Sequence, residues 1–240
     1  MNGLMDDDFA APIEGDVFAS AGSQRWLQIL LNRAPDMLLA ALRPTLKLDS
    51  QATIAWHSPL VADRFGEYHD GAALQRLGIN ALPQRTLADF WPRGGPRWDA
   101  LGTTSNGEYV FVEAKAHVGE LASAGCQAKP ESASFHRIQQ SLNQARQHFA
   151  PQSNADWSGK YYQYANRLAH HYLFRVVNGL PSHLFFLYFN NDAKMDGPKS
   201  ALEWHTAIQK VHTALGLPPT LKQYDVHEIF VDVKLLRSLV

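Results

Sequence analysis

The chain contains a single cysteine, Cys126. An internal disulfide and a multi-cysteine zinc site are both excluded by that count. No Cys–His pattern surrounds Cys126, which reads as a bystander and not a nucleophile. Long apolar runs are missing too. None exceeds the length of Leu184–Phe189, far short of the roughly 20 residues a membrane-spanning helix needs. Residues 1–24 hold no Lys or Arg, yet they carry Asp6, Asp7, Asp8, Glu14 and Asp16. A secretory leader has a basic start and then an apolar stretch, the reverse of this pattern. The expectation is a cytoplasmic chain with an acidic lead-in over residues 1–22 and one domain over 23–240. P-loop, G-x-S-x-G, GxGxxG and HExxH motifs are all absent, which removes NTPase, α/β-hydrolase, Rossmann dehydrogenase and zincin readings.

Strong charge of either sign is also lacking. The net charge is −1, which does not announce a nucleic-acid binder, and 45% hydrophobic residues are ordinary for a globular domain with a sizeable core. The distribution says more. From Arg93 to Arg175 there are nine Lys/Arg against six Asp/Glu, a modestly positive middle compatible with phosphate binding.

Patterning predicts the elements. Residues 24–42 read as helix interrupted near Pro35, with Pro44 closing the region. Residues 52–56 are a weak strand. Val61, Phe65, Tyr68 and Ala72 form a stripe at helical spacing over 60–78, with Gly78 as cap. After the Pro/Gly-rich loop at 90–97 come two short strands, 97–104 and 109–116, joined by Ser105-Asn106-Gly107, an Asn-Gly hairpin turn. Residues 119–133 read as loop. Helices are expected over 135–149 and 160–177, a buried aromatic strand over 183–189, a helix over 201–215 and a closing strand over 226–233. This order indicates an α/β domain with a mixed sheet.

One constellation carries chemistry. Metal-assisted phosphodiester cleavage needs hard oxygen ligands, a group that orients or deprotonates water, and positive charge for the transition state. On the second hairpin strand Glu113 and Lys115 project to one face, about 6–7 Å apart, together with Tyr109 and Phe111. Val110, Val112, Ala114 and Ala116 take the other face. The hairpin brings Asp99 towards Glu113, and the Ala114 carbonyl is a third candidate ligand.

Asp99 followed by Glu113-Ala114-Lys115, with Val110-Phe111-Val112 in front, resembles the signature of the PD-(D/E)XK nuclease superfamily, which includes restriction enzymes and repair or phage nucleases. The segment from Glu67 to Gly78 is similar to the glutamate-bearing helix of that group. Trp98, not proline, precedes Asp99, a slight departure. The stretches WDALG, VEAKAH and YQYANRLAHHY also resemble bacterial members with no assigned substrate. The resemblance covers roughly residues 60–190. It implies a restriction-endonuclease-like core, a central mixed β-sheet flanked by helices. It also implies Mg²⁺ or Mn²⁺ held by Asp99, Glu113 and the Ala114 carbonyl, Lys115 on the attacking water, and Glu67 completing the site. DNA is the implied substrate, and a homodimer is admitted.

Plainer alternatives stand beside each assignment. The plainer reading of Glu113 and Lys115 is a surface ion pair at a strand end, which contributes little; the apolar run in front, the hairpin turn and the upstream glutamate segment stand against it. Glu67 reads as a surface partner of Arg64, with Asp70 as its nearest competitor for the ligand role. His117 lies on the Lys115 face, either near phosphate or as a polar strand end; Glu120 is an accessory ligand or loop decoration. Gln163, Asn166, Arg167 and His170 share one helix face whose amides and guanidinium suit phosphates and base edges, and which a solvated face explains as well. His205 and His212 read as surface residues, and no convincing zinc spacing is found among the eleven histidines.

Overall fold

The computed structural model describes residues 18–239; most of the acidic lead-in expected over 1–22 lies outside the described residues. Two helices come first, α1 (Gly22–Arg33) and α2 (Pro35–Leu46). Pro35 occupies the first turn of α2, where a missing N–H costs nothing. Pro44 does not close this region, because it sits in the last turn of α2, and the helix runs on to Leu46 before Lys47 turns left-handed at φ 52°.

The strand β1 (Ile54–Ser58) is followed by the largest departure from expectation. No single helix covers 60–78. Val61–Asp63 is a short 3₁₀ turn, Arg64 and Phe65 are left-handed (φ 57° and 59°), and only α3 (Asp70–Arg76) is helical. The cause is Asp63, whose carboxylate accepts from the Gly66 N–H, the Tyr68 hydroxyl and Arg76. Such local side-chain bonds compete with the helix ladder. The stripe of Val61, Phe65, Tyr68 and Ala72 is therefore not one helical face.

The one-turn helix α4 (Leu87–Phe90) leads to the hairpin β2 (Ala100–Thr104) and β3 (Tyr109–Lys115). Gly107 adopts φ +82° and its N–H donates to the Thr104 carbonyl at 2.9 Å, so the hairpin closes through a three-residue loop whose last position is the left-handed glycine. The chain then forms α5 (Ala133–Phe149), α6 (Tyr162–His171) ending in a π-helical turn, β4 (Ser182–Asn190), α7 (Ala201–Leu215) and β5 (Val226–Asp232).

The five strands form one mixed sheet in the order β1-β2-β3-β4-β5. The pairs β1/β2 and β2/β3 are antiparallel, and β3/β4 and β4/β5 are parallel. Strand alternation then creates two cores. Phe111, Leu184, Phe186 and Tyr188 face α5, α6 and α7. Val110, Val112, Ala114, Phe185 and Leu187 face α1 and α2. Glu113 and Lys115 share the Phe111 face, so both project into the layer that α6 covers. Among the described residues no helix is long and apolar enough to cross a membrane.

Phe111 is 1% exposed, with its ring 5.0 Å from Phe174 and 4.9 Å from Trp98. Phe111→Ala is expected to cost about 3–5 kcal/mol in urea unfolding, because the sheet and α6 cannot collapse onto the void. A loss below 1 kcal/mol would show that the packing is wrongly assigned.

Candidate functional site

The site forms where the hairpin opens. The β2/β3 ladder ends at Ala100↔Val112, and Asp99 lies just before it, its N–H donating to the Val112 carbonyl at 3.1 Å. The next N–H on that edge of β3 belongs to Ala114. It donates to Asp99 Oδ2 at 2.7 Å, so a side chain takes the place of the missing strand. In an antiparallel ladder one residue's N–H and C=O point the same way, which turns the Ala114 carbonyl towards Asp99. Asp99 Oδ1 accepts no hydrogen bond from the described residues.

Glu113 stands one position earlier on the opposite face, 3% exposed. Lys115 Nζ lies 2.7 Å from Oε1, and Arg167 Nε donates to Oε2 at 2.6 Å. Both cations are themselves largely buried. The exposed ion-pair reading of Glu113 and Lys115 is thereby excluded. Burial by itself would raise the Glu113 carboxyl, but Arg167 and Lys115 hold it below the usual carboxylate range. Burial would lower Lys115, yet Glu113 and then Asp99 raise it. Asp99 has no such counterion in contact among the described residues. Removal from water and then the charge of Glu113 push it up to about 8, with Lys115, the Ala114 N–H and Arg167 offsetting only part.

Arg167 is the residue that the sequence pattern misplaced. Its helix face is not solvated: Asn166, Arg167 and His170 are buried, and only Gln163 of the four is exposed. The available signal was the pair Ala165 and Ala169, small residues that let α6 approach the sheet closely enough for a guanidinium to reach Glu113. Arg167 Nη2 also donates to the Arg97 carbonyl at 3.0 Å, and its guanidinium lies 5.4 Å from the Trp98 ring centre. His170 Nδ1 meets the Asn166 carbonyl at 3.0 Å, and burial lowers this ring to about 3, so it is neutral.

The remaining candidates divide. Gln163 and Glu120 line a small cleft of about 10 Å³ together with Glu113, Lys115, Tyr164 and Phe186. The Glu120 carboxylate accepts from the Ala116 N–H and the Ser23 hydroxyl. His117 lies beside Glu120, with Nε2 3.8 Å from Oε1. Glu67 is not on a helix. The antiparallel bridge Tyr68↔Trp98 puts it next in line beside Asp99, while its Oε1 accepts from Gln24 at 3.0 Å. Asp70 serves the neighbouring loop, accepting from the Gly94 and Gly95 N–H groups at 2.9 Å each. His212 is not a surface residue: it is 1% exposed and bonded to the Tyr164 hydroxyl at 2.9 Å.

Two outcomes follow from this geometry. Removing Arg167 as Arg167→Met leaves Glu113 buried with one counterion and is expected to cost about 3–5 kcal/mol in denaturant unfolding. The second concerns pH. Asp99 keeps its proton up to about 8 when folded but only to about 3.8 when unfolded. Between those values the folded chain binds more protons, so its stability falls as pH rises. Asp99→Asn removes that decline. Relative to its parent it gains stability across the window, by up to about 1.4 kcal/mol per pH unit. A difference that does not vary with pH would contradict the assignment.

Neither a family model, nor a curated protein, nor a solved structure matches this chain, so what it does has to be read from these residues.

Proposed function

We propose that the chain is a Mg²⁺- or Mn²⁺-dependent nuclease acting on DNA, built on a restriction-endonuclease-like variant of its mixed α/β sheet. One observation carries this reading. A carboxylate at the open end of the hairpin, Asp99, is drawn against β3 beside a buried Glu113–Lys115 pair on the strand face that α6 covers. The donor set is hard oxygen, from Asp99, Glu113 and the Ala114 carbonyl, which fits Mg²⁺ or Mn²⁺ and not a softer ion. Two neighbouring carboxylates of which one is pushed to about 8 also fit a place where a cation is called for. When bound, the ion supplies Lewis acidity to a phosphoryl oxygen.

The chain's own residues do the rest. Lys115, held as an ammonium by Glu113 and Asp99, orients the attacking water by donating to it and meets the negative charge that develops on phosphorus. Arg167 holds Glu113 in place and shares its charge, so that Lys115 can leave Glu113 for substrate without stranding a buried anion. Glu67, beside Asp99, completes the ligand set through water. Gln163, at the exposed lip of the cleft, is placed to meet the nucleic acid.

A second reading is a nuclease-fold module that binds nucleic acid or a protein partner without cutting. It is favoured by the saturation of Glu113, whose two oxygens already have cationic partners, and by the small volume of the cleft. One assay separates them. Linear, circular and single-stranded DNA are incubated with Mg²⁺ or Mn²⁺ alongside the Lys115→Ala variant. Cleavage that depends on metal and drops roughly 10²–10⁴-fold in Lys115→Ala is the expected result. Salt-sensitive DNA binding with no cleavage would establish the second reading, and near-parental turnover by Lys115→Ala would overturn the mechanism.

A further inference from the structure

At the opposite end of the sheet, and on its other face, three potential ligands converge. His183 lies near the start of β4, Asp225 just before β5 and His227 within β5. The register Phe185↔His227 puts both imidazoles on the face of Phe185, with ring centres 5.9 Å apart. One ligand atom from each of the three residues lies within 4.8 Å of the others. This face is the one that Glu113 does not share. His183 pairs with Val110, three residues before Glu113, which is about 10 Å along the strand. The two clusters are therefore separate.

The imidazoles are unusual in what they lack. His183 is 5% exposed and His227 7%, yet His183 Nδ1 and both ring nitrogens of His227 have no hydrogen-bond partner among the described residues. A buried polar nitrogen with no partner is costly, and one such nitrogen from each ring lies close to the Asp225 carboxylate, an unfilled donor set. The surroundings orient that set. Glu108 Oε1 lies 3.3 Å from His183 Nε2, which fixes the proton there and leaves the Nδ1 lone pair towards Asp225. Asp225 Oδ1 is 3.6 Å from that Nδ1, too long for a good hydrogen bond. Arg175 holds the other oxygen, Oδ2, at 2.6 Å and so turns Oδ1 inward. Asp225 is left-handed at φ 56°, and its backbone carbonyl accepts from the Leu184 N–H, which fixes it against β4. A carboxylate behind a metal-ligating histidine is the usual outer support of a zinc site.

We propose that His183, Asp225 and His227 bind one divalent transition ion, Zn²⁺, with Glu108 supporting His183 and water filling the open position beside half-exposed Asp225. Imidazole nitrogen suits Zn²⁺ and disfavours Mg²⁺ and Ca²⁺. Such an ion ties β5 to β4, and through Glu108 to the start of β3. It is independent of the Asp99–Glu113 cluster and of any activity assigned there.

The test is calorimetric titration of the whole chain with Zn²⁺, a melting curve with and without the ion, and X-ray absorption of the loaded protein. One equivalent is expected, with a melting-temperature rise of a few degrees at about 100 times Kd. The absorption spectrum is expected to show two imidazoles with oxygen at about 2.0–2.1 Å. Binding is lost in His183→Gln and His227→Gln, weakened roughly 10–100-fold in Glu108→Gln, and kept in Asp99→Asn. The unaltered chain decides the matter even if a histidine variant fails to fold. No stoichiometric binding, a shell without paired imidazoles, or undiminished binding in His227→Gln each overturns the site. Binding lost only in Asp99→Asn would place the ion at the other cluster and overturn it equally.

Discussion

The buried carboxylate of Glu113, gripped by Lys115 on one side and Arg167 on the other, is the interaction on which the site layer depends. An anion at 3% exposure is tolerable only when its charge and its lone pairs are both answered. Lys115 is supplied by the same strand. Arg167 comes from α6, and its reach sets how closely that helix must lie on the sheet, with Ala165 and Ala169 fully buried to allow it. The same guanidinium lies near the Trp98 ring and bonds the Arg97 carbonyl, so it also fixes the segment that delivers Asp99. Helix, loop and hairpin are thus fastened at one charge.

The strand β3 is the pivot of the fold. It is antiparallel to β2 and parallel to β4, and it outlasts β2 by several residues at its C-terminal end. A backbone N–H left without a strand partner must find another acceptor, and Asp99 provides it to Ala114. The edge that β2 vacates is what makes a site there, because side chain and main chain meet where a ladder would otherwise continue. The cost falls on Asp99, which has an anionic neighbour and, among the described residues, no cation in contact.

Much of the architecture was legible because its causes are local. Asn106-Gly107 specifies a hairpin by backbone preference alone. Ser200 and Gly216 cap α7, which spans the residues its periodicity indicates. Period-two alternation on β3 put Glu113 and Lys115 on one face, and the fold keeps them there. The failures were those of long-range context. The stripe at 60–78 had helical spacing, but Asp63 offered the backbone better local partners and Glu67 lost its helix. Residues 163–170 looked amphipathic because polarity marks solvent only when no buried charge needs an answer. His183 and His227 stand on separate strands with α7 between them, so no spacing rule brings them together.

Sequence alone determined the hairpin, the order of elements from α5 to β5 and the shared face of Glu113 and Lys115, since each follows from interactions within a few residues. Tertiary structure alone decided that Arg167 points inward to Glu113, that Asp99 bonds Ala114, and that two histidines meet across β4 and β5. Those contacts join residues 15 to 54 positions apart. Only the packing of α6 on the sheet, the early end of β2 and the parallel register of β5 bring them within reach, and burial then fixes which charges must be answered.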